Sequence, residues 1–576
     1  MEKRLFTAVL VSIGILALWM WAAPLLFPEL AKKAQPPKPV PATSTTATSA
    51  TTTTAAPIAT TDTTASTPPP APVVNAAPIN IPPTNETKLH DVVVENADFI
   101  ARFSNRGAEL VSFQLKHYTT KDGHLVELVK AREPRRNDYP FAIEAANYAL
   151  AQQLNSALWS VDDRTEKGAR VIDFRYATNG VAAQKTFRVT NDYLFAFNVN
   201  IAPAMPYRVV VGPGIRTLEP DEKDSQIVIT GNGLVQREGK LDTLNREKAD
   251  KLNVFGAVDC VGVEDNYFLA VLRPERAAGA VIRGQEFPTG AKGEKRRDFY
   301  AGVNATSDGV VAGTAFFGPK QAEVLDRYGL EKTLQFGMFG IIARIFLVAL
   351  LWINKYTHNF GWAIIVLTIL IKIVLYPLQH KWMLSMKKIQ KVQPKVEAIK
   401  ARYKKARTDA EQRQRMNAET MKLYQQEGIN PAGGCLPMLI QFPIFVGFYN
   451  LLAHAIQLRH APFIGWIHDL SAKDPYYITP ILMGVAMFVQ QKITPATADP
   501  AQRRMFYMMP VIFTWIFKEF AAGLVLYWLV QNILTIVQQL IMNKYWHDHP
   551  DNKKDKDDSK KDKNDSKKDE DDSDDE

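Results

Sequence analysis

The chain has 576 residues and 46% apolar side chains, with 69 Lys and Arg against 60 Asp and Glu for a net charge of +9. Apolar residues crowd into the first 30 positions and again after 335, whereas residues 35–85 are nearly all Pro, Ala and Thr and the last 26 are Lys, Asp, Glu, Ser and Asn. That segregation excludes a single soluble globule, and the length leaves room for three or four domains at roughly 150 residues each.

Residues 5–27 (LFTAVLVSIGILALWMWAAPLLF) are uncharged and long enough to cross ~30 Å of hydrocarbon as a helix. The stretch exceeds a signal-peptide core, carries Trp19 and Trp21 near its end and lacks a clean small-x-small cleavage site, so a retained anchor is predicted. Residues 28–88 follow as a Pro/Ala/Thr-rich tether that cannot bury a core.

From about residue 90 the pattern turns to period two. Asp91–Glu95 and Phe99–Phe103 read as strands, and the turn Ser104–Gly107 leads into Leu110–Leu115 as a hairpin. Similar runs at Tyr193–Val199, Arg208–Val211 and Gln226–Ile229 predict one large, mostly antiparallel β-sandwich domain over 89–322. It shows no nucleophile elbow, phosphate loop or metal-spaced histidines. The two cysteines, Cys260 and Cys435, supply neither a disulfide scaffold nor a zinc site. No cofactor is expected.

After 335 the chain reads as a membrane domain, with spans predicted at 361–378, 434–455, 476–491, 505–520 and 521–542. The run Phe336–Ile353 is also long enough to cross, but parity decides against it. Between 379 and 428 lie thirteen Lys and Arg against five Asp and Glu, and such a segment stays cytoplasmic. A single crossing at 361–378 then places this segment, the loop 492–504 and the charged tail 547–576 inside, with the β domain outside. Residues 331–357, with Arg344 in mid-run, are therefore read as an interfacial amphipathic helix on the outer surface. Within 379–428, Lys388, Val392, Val396 and Ile399 form one helical stripe and Met416, Thr420, Leu423 and Tyr424 a second. These predict a helical hairpin with its tip near Arg407–Asp409.

Lys372 is the outlier, in the apolar run 369–375 (ILIKIVL), five residues before Pro377. An ammonium in hydrocarbon costs a few kcal/mol even on lenient scales, so it faces protein or water, or snorkels about 7.5 Å to the headgroups. Gln441, Gln490, Gln491, Gln531, Asn532, Gln538 and Gln539 lie in other spans. They act as interhelical glue or, gathered toward the cytoplasmic half with Lys372, line a wet, positively charged recess. Pro437, Pro443, Pro480 and Pro510 interrupt three spans, and the short span 476–491 implies local thinning. Met438, Phe442, Phe445 and Phe448 face lipid or a passing apolar segment.

Ordered motifs carry a family resemblance. They are GINPAGGCLP at 428–437, LIQFPIF at 439–445, WIHDLS at 466–471, DPYY at 474–477, PILMG at 480–484 and GLVLYW at 523–528. Together they resemble the YidC/Oxa/Alb membrane protein insertases over about 330–545, and the layout of anchor, tether and outer β domain is similar to the Gram-negative form. The resemblance implies a multi-domain membrane protein with a five-helix transmembrane core over 361–542, a periplasmic β-supersandwich and a cytoplasmic helical hairpin. It implies an inner-membrane insertase and chaperone, not an enzyme, with both termini cytoplasmic and a positively charged groove open to cytoplasm and lipid. Lys372 matches the positive residue of that groove, where Arg is commoner, so a point charge replaces a planar fork. Thr368, Gln441, Gln491 and Trp528 match positions lining or bordering the groove; Met438, Phe445 and Tyr527 match the apolar slide. Nascent membrane proteins, membrane lipids and the Sec translocon are the implied partners, with the ribosome and the signal recognition particle receptor at the hairpin. The acidic end of the tail departs from the basic tails that favour ribosome contact.

Two other classes are weighed against this. A secondary transporter wants intramembrane Asp, Glu or His relays, and the spans carry one Lys and no carboxylate away from their ends. An anchored carbohydrate-active enzyme wants a carboxylate or His pairing that residues 90–320 do not display.

Overall fold

A computed structural model describes residues 81–547 except 85, 131–138, 179, 219–230, 246–251, 290–293, 338, 404–408, 429–435 and 495–499. The predicted anchor at 5–27, most of the tether, the strand at 226–229, Cys435, Arg407 at the hairpin tip and the tail from 548 lie outside the described residues.

Alternation makes the strands. In Asp91–Glu95, Val92 and Val94 are buried and Val93 is exposed, as expected of a strand with one face on a core. Every pairing between the strands described is antiparallel. A nine-stranded sheet runs in the order Lys240–Leu244, Asn232–Arg237, Cys260–Glu264, Phe268–Pro274, Val310–Pro319, Leu194–Ala202, Val181–Val189, Ala169–Thr178 and Ser160–Glu166. A four-stranded sheet (91–127) and a five-stranded sheet (strands between 143 and 304) share one continuous core with it. The expected β-sandwich is present.

The predicted hairpin pairs Phe99–Ser104 with Glu109–Thr119. Its turn needs Gly107: φ is +70°, and a Cβ there would lie 2.6 Å from the Asn155 carbonyl oxygen. Aromatic rings fill the core between the sheets. Phe99 stacks on Phe113 at 4.4 Å, Phe113 meets Phe317 at 5.5 Å, and Phe141 stands edge-on to Phe187 at 4.9 Å. Each such buried ring contributes about 1.5–3 kcal/mol of transfer free energy.

The C-terminal half is helical: α1 (Gly340–Thr357), α2 (Phe360–Arg402), α3 (Ala410–Gln426), α4 (Leu436–His454), α5 (Ile478–Ile493), α6 (Pro500–Phe517) and α7 (Ala522–His547). By length and composition α1, α2 and α7 can each cross a membrane, and α5 is a shorter apolar helix. On α1, Ala343, Phe346, Leu347, Leu350 and Ile353 are buried, with Phe346 packed on Phe448 at 5.8 Å. Its exposed stripe is largely apolar too (Ile341, Ile345, Val348 and Trp352), beside the exposed Arg344 and Lys355.

The helix that holds the span expected at 361–378 runs on past Pro377. The helical segment α2 covers 43 residues, Phe360–Arg402. Pro377 marks a change of polarity, and the helix-compatible residues after it carry the backbone onward.

The described residues between 380 and 428 belong to one compact unit. Within it, Val392 and Val396 are buried against Ile389, Leu423 and Tyr424, joining the second arm of α2 to α3 as a hairpin. Asp409 caps α3 by accepting from the Glu411 amide at 2.9 Å. Arg402–Glu419 and Lys395–Glu427, both at 2.7 Å, add exposed ion pairs of small energetic weight.

In the other unit, α5 and α6 approach closely at Gly484, where a Cβ would lie 2.0 Å from the Thr514 hydroxyl. The β domain and the loop after α4 interlock. Asn266 donates to the Ala453 carbonyl at 2.7 Å, Arg459 donates to the Thr119 carbonyl at 3.0 Å, and Ile456 joins the β-domain core. Beside Asn266 lie two buried ion pairs, Arg216–Asp265 at 2.6 Å and Lys320–Glu264 at 2.9 Å.

Candidate functional site

The last helix carries a polar seam. On α7, Trp528, Gln531, Asn532, Thr535, Gln538 and Gln539 recur every three or four residues. That spacing aligns them on one face, about 16 Å long.

Three other helices meet this face through side-chain hydrogen bonds. From α2, Lys372 Nζ donates to Thr535 Oγ1 at 2.8 Å. From α4, Gln441 donates to the Tyr527 hydroxyl at 2.6 Å and accepts from the Gln531 amide at 3.4 Å. At the end of α5, Thr494 accepts from the Gln539 amide at 2.9 Å. Thr535 in turn donates to the Gln531 backbone carbonyl at 2.7 Å.

Lys372 is 8% exposed, and among the described residues its amine bonds a hydroxyl and no carboxylate. Around the seam, six buried polar atoms have no hydrogen-bond partner among the described residues: Gln491 Oε1, Trp528 Nε1, Gln531 Oε1, Asn532 Nδ2, Gln538 Nε2 and Gln539 Oε1. Each such group costs about 1–3 kcal/mol when left unmade. A concentration of them beside an uncompensated cation has the chemistry of a site for water or for polar groups of a passing chain.

The remaining expected residues fall around this seam in different ways. Thr368, one turn before Lys372, is fully buried and spends its hydroxyl on the Ile364 carbonyl at 2.7 Å. Gln491 is half-buried, and Phe445 stands edge-on to Trp528 at 5.1 Å. Tyr527 is fully buried, with its ring stacked on Phe448 at 4.5 Å. The side chain of Met438 lies outside the described residues.

Thr535 escaped the sequence reading. Its position four residues after Gln531 and four before Gln539 was the available signal. A threonine in an apolar helix usually satisfies itself on the carbonyl four residues back, so the residue type alone does not stand out.

Two family models divide the chain between them: the YidC periplasmic domain matches residues 91–349, and the 60Kd inner membrane protein matches residues 352–549. The membrane protein insertase YidC of Geotalea daltonii is 33% identical, covering 94% of this chain and 99% of its own. The chain belongs to the YidC family of membrane protein insertases. The YidC of Geobacter metallireducens is 35% identical, over 94% of this chain and 98% of that one. A solved active YidC insertase with its first transmembrane domain resolved shares 20% identity, covering 79% of this chain and 92% of that one at a TM-score of 0.35. As a YidC insertase, the protein resides in the inner membrane, presents its β domain as the periplasmic domain, and acts on nascent membrane proteins. YidC is an insertase family and not an enzyme class.

Proposed function

We propose that this insertase receives the polar end of a nascent membrane segment at the α7 seam, through a positively charged groove open to cytoplasm and lipid. The observation that carries the reading is Lys372: a buried ammonium with a hydroxyl for a partner, among orphaned amide atoms. Burial of the passenger's own apolar side chains in lipid drives insertion, at about 25 cal/mol per Å². The seam lowers the barrier for the polar residues that must travel with them, by offering hydrogen bonds and one positive charge within the bilayer. Thr368, Gln441, Gln491 and Trp528 line or border this groove, and Met438, Phe445 and Tyr527 support the apolar path beside it.

The orientation follows from charge. The basic segment 379–428 keeps the hairpin in the cytoplasm, with both termini on that side and α1 along the periplasmic boundary. The exposed basic arms of the hairpin suit it to the ribosome and the signal recognition particle receptor, and the Sec translocon is a partner of the core.

The test is insertion of a single-span reporter with a short acidic translocated end into proteoliposomes. Lys372→Ala is expected to reduce insertion about tenfold, the scale of a lost 1.4 kcal/mol interaction, while Lys372→Arg retains it. Equal insertion by parent and both variants would overturn the groove reading.

A further inference from the structure

We infer that Thr535 is the positioning residue for Lys372: its hydroxyl holds the resting ammonium in the seam and yields it to an acceptor group of the passenger chain. This deepens the groove reading above and rests on it.

Thr535 is oriented for that task. Its proton is committed to the Gln531 backbone carbonyl at 2.7 Å, which leaves its oxygen to accept from Lys372 Nζ at 2.8 Å. The same helix face is fixed one turn earlier. There the Gln531 amide donates to Gln441, and Gln441 donates to Tyr527, whose buried ring stacks on Phe448 at 4.5 Å. The acceptor is thus held by a hydrogen-bonded chain ending on a packed aromatic pair.

The strength of the contact suits a temporary hold. A lysine side chain carries about 2 kcal/mol of rotamer entropy, and without an acceptor in the seam its stem would let the ammonium reach for the headgroups. A neutral hydroxyl is enough to retain it. A carboxylate forms a charge-assisted bond roughly twice as strong, so an acidic passenger group displaces Thr535 where an apolar one does not. A built-in carboxylate would hold Lys372 permanently, and among the described residues none pairs with it.

The experiment is a double-mutant cycle on the full-length protein in proteoliposomes, with the acidic-ended reporter and thermal unfolding of each variant measured in parallel. Thr535→Val keeps the shape and removes the acceptor; Thr535→Ala serves the same cycle if valine lowers the melting temperature. We expect Thr535→Val to reduce insertion three- to tenfold, Thr535→Ser to stay within twofold of the parent, and Thr535→Val to add nothing to Lys372→Ala. Labelling of Lys372 by a small amine-reactive reagent should quicken at least threefold in Thr535→Val, a change that a packing role for Thr535 would not produce. Parent-level insertion by Thr535→Val, or a full-sized additional loss on the Lys372→Ala background, overturns the positioning role while leaving the groove intact. Parent-level insertion by Lys372→Ala overturns the groove reading itself.

Discussion

At the N-terminus of α5, the Asp474 carboxylate accepts from the Thr479 amide and hydroxyl, each at 2.7 Å, and from the Tyr476 amide at 3.0 Å. Burial works to raise its pKa, but the hydrogen bonds from Thr479 and Tyr476 outweigh burial and hold it below the usual carboxylate value. A carboxylate whose folded pKa is depressed stabilises the fold fully above its unfolded pKa, about 3.9, and loses that contribution as pH falls through the lower folded value. Asp474→Ala is therefore expected to cost about 1 kcal/mol at neutral pH. The check is the melting temperature of the detergent-purified protein, whose deficit relative to the parent should shrink below about pH 4. At this scale the sequence was uneven as a guide. Lys372 was visible because a charge in an apolar run has few bland explanations, whereas Thr535 was hidden by a residue type that usually bonds its own helix. The role of Tyr527 depended on which way its helix turned, and only its stacking on Phe448 revealed a buried ring.

Between elements, close approach is the recurring device. Gly484 lets α5 reach α6 where any Cβ would sit 2.0 Å from Thr514 Oγ1 and 3.3 Å from Thr514 Cβ. Gly484→Val is expected to force the pair apart at a cost of about 1–3 kcal/mol, read as a lower melting temperature, with Gly484→Ala intermediate. If valine is tolerated without loss, the α5–α6 contact is looser than described. Strands and helices were legible as local periodicities, since two-residue alternation and helical stripes need only a short window. Pairing was not: Val199 lies opposite Val311, and nothing in either stretch encodes so distant a partner. The continuity of α2 through Pro377 was equally hidden, because a proline at a polarity change marks a helix end more often than a passage.

Across the whole molecule, the periplasmic domain is clamped to the membrane core as well as joined by the chain. Asn266, Arg459 and Ile456 make that clamp, beside the buried pairs of Arg216 with Asp265 and Lys320 with Glu264. Asn266→Ala removes the donor to the Ala453 carbonyl and should weaken the junction by about 1–3 kcal/mol. Faster hydrogen exchange across 453–460, with the β-domain core unchanged, is the expected result; unchanged exchange there would mean the junction does not depend on this bond. Charge segregation, obvious in the sequence, suggests a division into domains, but the clamp joins residues far apart in the chain and left no mark in composition.

The Lys372–Thr535 bond spans 163 positions, which has a consequence for biosynthesis. At 5–20 residues per second, roughly 10–30 s separate synthesis of the lysine from synthesis of its partner. Throughout that interval α2 exists with a charged side chain for which α7 has yet to be translated. Chains released early, before the final helix, therefore carry Lys372 without its hydroxyl partner.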